Sequence, residues 1–158
     1  MGALAVLIRI LHIGFAVILA GGTMYQFLVL QPTLRDMDAE RRRELLERAA
    51  ASWRPWVFAA MGALLISGLM NFLMFKVPAY RGHPSVAVYH GLFGLKFLMA
   101  LAAFHPLSML VMPGEKFQER YRARSGLWLG FAVTAVTIVI VLAAVMSNFD
   151  RLFPRAAS

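Results

Sequence analysis

The sequence predicts an all-α integral membrane protein, a four-helix bundle with both termini on the same, outer side. Three observations carry that prediction. Four long apolar runs each approach or exceed the roughly 20 residues needed to cross the hydrocarbon core. The basic residues are concentrated in the segments between those runs. Charged residues make up 15% of the 158 residues and hydrophobic ones 60%, whereas a soluble domain carries about 25% charged residues. The whole chain, 1–158, reads as one transmembrane domain.

No Asp, Glu, Lys or Arg occurs between Ile10 and Leu34, and the apolar pattern begins near Ala3, which places helix one at about 3–30. Pro55 to Phe75 is likewise uncharged and gives helix two at about 55–76. Helix three covers about 86–112 with Lys96 inside it, and Pro106 is expected to kink or loosen its last turns. Helix four covers about 125–149. The connections 31–54 and 113–124, with a shorter one at 77–85, hold the charges, prolines and turn residues. Asp38 is placed to cap a helix in the first connection, and Glu40–Arg43, Arg43–Glu47 and Glu44–Arg48 have the spacing of helix-surface ion pairs. That segment reads as a solvated extension of helix two, or alternatively as a docking surface for a partner.

Direction follows from the basic residues. Arg35, Arg41, Arg42, Arg43, Arg48 and Arg54 lie in the first connection, and Lys116, Arg120, Arg122 and Arg124 in the third. Against these ten, the other side holds Lys76, Arg81, Arg151 and Arg155. The two arginine-rich connections are therefore expected in the cytoplasm, in a bacterial inner (cytoplasmic) membrane, with Trp53, Trp56 and Trp128 as an interfacial belt. The N-terminal run is too long for a signal peptide and contains Arg9. Val6 removes the downstream Ser or Thr of a myristoylation site.

Several function classes are excluded by composition. With no cysteine there is no disulfide, thiolate metal site or iron–sulfur cluster. The net charge of +8 reads as loops facing anionic lipid rather than nucleic acid. No carboxylate lies within the spans, and no glycine-rich loop opens a helix in the phosphate-binding pattern. Polar groups inside hydrocarbon are costly and mark candidate sites. At about 1.5 Å per residue, His12, His90 and Lys96 all fall in the outer half, with Arg9, Ser67 and Asn71 at similar levels.

Two histidines on different helices are able to ligate a haem in a bundle interior. His12 is the first candidate ligand and His90 the second. Arg9 and Lys96 would balance the propionates, and Gly91 and Gly94 would let a flat ring approach the backbone. The alternative for each histidine is a hydrogen bond to a neighbouring helix. His90 and Lys96 point about 120° apart on helix three, so both cannot face one central point. His105 lies near the cytoplasmic end and is a weaker candidate. Met70 and Met74, one turn apart, offer thioethers suited to Cu(I), although methionine is also a common gap filler and the chain has ten. Gly14, Gly21, Gly22, Gly62 and Gly68 are expected to permit close helix packing.

Helix one contains Leu11-His12-Ile13, Ala20-Gly21-Gly22, Tyr25 and Pro32-Thr33-Leu34. Helices two and three add Ile66-Ser67-Gly68-Leu69 and Gly94-Leu95-Lys96-Phe97-Leu98. Over roughly residues 4–112 this pattern resembles the copper-resistance protein D (CopD) family and the HemJ-type protoporphyrinogen oxidases. The resemblance implies a small helical membrane protein with haem b or a metal near His12, with His12 and Lys96 as the motif residues. HemJ-type proteins oxidise protoporphyrinogen, and CopD-type proteins are associated with copper uptake across the inner membrane. Two features depart from the HemJ pattern. The segment Tyr25-Gln26-Phe27-Leu28 lacks a Leu-Pro-Arg motif, and His90 stands six residues before Lys96.

The leading expectation is a b-type haem protein of the bilayer that serves electron transfer or redox chemistry with a redox partner, including a HemJ-like haem-dependent oxidoreductase. The alternatives are copper transport using Met70, Met74 and the histidines, and a cofactor-free accessory subunit of a larger membrane complex or homo-oligomer.

Overall fold

The computed structural model describes residues 2–113 and 118–154, leaving out the side chains of 118–120. Lys116 and Arg155 of the charge count lie outside the described residues. Among those described, the secondary structure is helical throughout, and four helices are long and apolar enough to cross a membrane. We label them α1 (Ala3–Thr33), α2 (Ala39–Ala79), α3 (Val86–Val111) and α5 (Ser125–Ser147). The short α4 (Gln118–Ala123) precedes α5 and α6 (Phe149–Leu152) follows it. The chain is thus a multi-pass membrane protein with an all-α four-helix fold.

The helices run up and down around a ring. α1 packs chiefly on α2 and α3 chiefly on α5; α2–α3 and α1–α5 contacts close the bundle. The arginine-rich connections meet at one end. Gln31 Nε2 donates to Ser125 Oγ at 2.9 Å, and Arg122 Nη1 lies 3.2 Å from Glu47 Oε1. At that end Leu19, Val57, Leu107, Leu129 and Ala132 form an aliphatic core drawn from all four spans. At the opposite end the core is aromatic, built from Tyr80, Tyr89, Phe149 and Met146.

α2 has 41 residues. At 1.5 Å per residue it measures about 60 Å, twice the hydrocarbon thickness. Its first half therefore projects beyond the membrane, as the solvated extension expected from the sequence, and continues through Pro55 without a break. Asp38 caps it, its side chain accepting from the Arg41 amide at 2.9 Å. The expected pairs Arg43–Glu47 and Glu44–Arg48 form at 3.1 and 2.6 Å. Arg54 Nε donates to the Val111 carbonyl at 2.7 Å, satisfying an acceptor that the end of α3 leaves open and placing a cation at its negative pole.

α1 and α2 extend about three residues further than their apolar runs indicate, and each contains a π-helical turn, at Gln26–Leu30 and Asn71–Lys76. Both turns precede a proline in the final helical turn, Pro32 and Pro78. A proline ring clashes with the carbonyl four residues back and donates no amide hydrogen there. The widened turn moves that carbonyl aside, and the bonds Gln31 N to Gln26 O and Val77 N to Phe72 O then span five residues. α3 continues through Pro106, which is buried, to Val111. Two of the five glycines singled out for packing serve that purpose. A Cβ on Gly22 would lie 2.1 Å from Trp53 Cζ2, and one on Gly68 would lie 3.2 Å from His12 Cε1. Gly14, Gly21 and Gly62 meet nothing within 4 Å.

Candidate functional site

His12 is half-buried on the face of α1 that packs against α2. Its Nδ1 lies 2.8 Å from Ser67 Oγ, and Gly68, with no side chain, admits the ring. Ser67 is buried, and its hydroxyl donates to the Ala63 carbonyl one turn back. A serine hydroxyl has one hydrogen. With that hydrogen on Ala63, Oγ accepts from His12, so His12 carries its proton on Nδ1. The Nε2 lone pair is then available. A hydrogen bond of this kind on one ring nitrogen fixes the tautomer and orientation of histidines that ligate through the other.

Lys96 on α3 is half-buried. Arg9 is exposed on α1, three residues before His12 and so on an adjoining part of its face.

His90 belongs elsewhere. Its ring is exposed and presents an edge to Phe72, with centroids 5.5 Å apart. Phe72 stacks on Phe93 at 3.6 Å, filling the α2–α3 seam beneath it. On α3, Gly94 lies about 40° from His90 and about 160° from Lys96. Gly94 therefore shares the His90 face, where neither it nor Gly91 has a neighbour within 4 Å of a Cβ position.

His105 Nε2 lies 2.9 Å from the Tyr121 hydroxyl, and Tyr121 packs on Trp128 with centroids 4.7 Å apart. This histidine ties α4 to α3. Met70 is half-buried and Met74 exposed, the latter in the π turn of α2. Among the described residues no three or more His, Cys, Asp or Glu side chains gather to hold a metal ion.

A cluster at the aromatic end was not singled out from the sequence. The His83 side chain is fully buried beside Tyr80 and Phe149. Its Nδ1 accepts from the Ser85 amide at 3.1 Å, and its Nε2 lies 3.9 Å from Asp150 Oδ1. Tyr80 donates to Asp150 Oδ2 at 3.2 Å and stacks on Tyr89 at 4.1 Å. Gly82 makes the turn that places His83, with φ of 81°, a conformation that side-chain-bearing residues rarely adopt. The sequence signal available was this Gly-His pair in a short connection.

The His12 imidazole, with its outer nitrogen unprotonated and oriented by a buried hydroxyl, has the donor chemistry of a haem-iron ligand. In comparisons with family models, curated proteins and solved structures, none matches this chain.

Proposed function

We propose that the chain binds b-type haem within its bundle through His12 and serves one-electron transfer in the membrane. The observation that carries this reading is the relay from His12 Nδ1–H to Ser67 to the Ala63 carbonyl, which leaves Nε2 as a free donor atom for iron. Haem bound there supplies a one-electron carrier whose potential depends on its axial ligand and burial. The protein's part is to fix the imidazole and to offer Lys96 and Arg9 as counter-charges. The resemblance to CopD-type and HemJ-type sequences points to the same two motif residues, His12 and Lys96. The excess of basic residues in the first and third connections supports placing them in the cytoplasm of a bacterial inner membrane.

The test is an absorption spectrum of detergent-purified protein from haem-replete cells, oxidised and then reduced with dithionite. A Soret band with sharp reduced α and β bands is expected. A featureless visible spectrum overturns the reading; bound copper in that preparation would then favour transport through Met70 and Met74.

A further inference from the structure

A second site lies at the arginine-rich end, independent of the haem reading. A cleft of about 250 Å³ opens between the projecting half of α2 and the start of α5. Its rim carries Arg42, Arg43, Glu47 and Arg122. The Glu47 Oε1 atom is shared by Arg43 Nε at 3.1 Å and Arg122 Nη1 at 3.2 Å. Arg42 pairs with no carboxylate among the described residues. Among the described residues of the rim, Arg43 and Arg122 share one carboxylate and Arg42 is left without one.

The cleft is not a simple anion pocket. It adjoins a furrow of about 550 Å³ between α1 and α2, sharing Gln26, Leu30 and Ala49 with it. The furrow continues past Gly21, Gly22, Trp53 and Trp56. Trp53 lies ten residues beyond Arg43 on α2, about 15 Å further into the membrane. Gly21 leaves the furrow floor bare, with nothing within 4 Å of a Cβ position. Charge therefore lies at the membrane surface and an apolar channel runs inward from it, in the order of a phospholipid's headgroup and acyl chain.

We infer that this cleft and furrow hold one anionic phospholipid of the leaflet on the arginine-rich side. The phosphate sits by Arg42 and Arg122, and one acyl chain lies along Gly21, Trp53 and Trp56. A soluble anion would leave the furrow unused, and a zwitterionic lipid would leave Arg42 without a counter-charge. Basic pockets between helices at a membrane surface gain from anionic headgroups in this way.

The test uses the full chain in detergent, with native mass spectrometry counting bound lipid in mixed micelles of phosphatidylglycerol or phosphatidylcholine. One retained phosphatidylglycerol is expected, favoured over phosphatidylcholine by roughly tenfold or more. Arg42→Gln, which breaks no ion pair, should lower that preference severalfold. Gly21→Leu, which fills the furrow and leaves every arginine in place, should lower retention of the lipid and keep the protein monodisperse. Equal retention of both lipids overturns the inference, as does a Gly21→Leu variant that binds like wild type. Millimolar inorganic phosphate that displaces the lipid completely would show a headgroup-only anion site and would also overturn it.

Discussion

His12 on α1 and Ser67 on α2 are joined at 2.8 Å, Nδ1 to Oγ, and the serine passes its own hydrogen to Ala63. This bond crosses the helix pair with the most extensive contact on the α1 side of the bundle. It couples packing to chemistry, because the same contact that seats the ring also decides which nitrogen is bare. Ser67→Ala removes the acceptor and leaves a half-buried N–H unpaired. Interhelical hydrogen bonds in membranes contribute roughly 0.6 kcal/mol on average, with values up to about 1.7. Thermal unfolding in detergent should show a loss in that range, and the midpoint potential of bound haem should shift because the ligand is no longer oriented. An unchanged potential would separate Ser67 from the ligand's electronics.

His90 shares its face of α3 with Gly94 rather than with Lys96, and rests on Phe72. His90→Ala should therefore retain the haem spectrum with its Soret maximum in place. Loss of the α and β bands in this variant would instead make His90 a second axial ligand.

Neighbouring glycines give opposite outcomes. A Cβ on Gly22 would sit 2.1 Å from Trp53 Cζ2, while one on Gly21 meets nothing within 4 Å. Gly22→Ala should destabilise by about 1–3 kcal/mol through overpacking. Gly21→Ala should be neutral or stabilise by up to about 1 kcal/mol through helix propensity. Unfolding midpoints of the two variants, measured in one detergent, check the contrast.

His105 and Tyr121 meet at 2.9 Å. Replacing either by Phe should cost about 0.5–1.5 kcal/mol. The double variant should cost little more than each single one, since both act through one contact. The haem spectrum should be untouched in all three.

Arg54 bonds the carbonyl of Val111 at the end of α3. Arg54→Leu opens that acceptor, and hydrogen exchange at the Met112 amide, which bonds Ser108 O at 3.0 Å, should accelerate. The stability loss should be about 1.5–3 kcal/mol, because the lost bond was charge-assisted.

The four spans were legible because span length and charge exclusion are properties of contiguous sequence. The Asp38 cap and two α2 ion pairs were legible because they are local. Pro32 and Pro78 mark helix ends in sequence, yet each helix carries them in its final turn behind a π turn. The glycines share one composition signal, but of the five singled out for packing only those facing Trp53 or His12 serve it. That choice rests on helix rotation, which uniformly apolar spans do not encode. The His83–Tyr80–Tyr89–Phe149 cluster joins a short connection to the end of α5, a pairing of distant segments with no periodic signature. His12, Lys96 and Ser67 were visible individually as polar groups in hydrocarbon. The angle between His90 and Lys96 was also readable from helical periodicity, but the pairing of His12 with Ser67 required the rotations of two helices.

Ligation of haem by His12 is checked by comparing wild type with His12→Ala. Both would be expressed in the same haem-replete cells, and haem would be quantified per purified protein. Wild type should carry haem in a fixed ratio, with sharp reduced α and β bands, and His12→Ala should carry essentially none while remaining monodisperse. Equal haem content with an identical spectrum in His12→Ala would contradict the account.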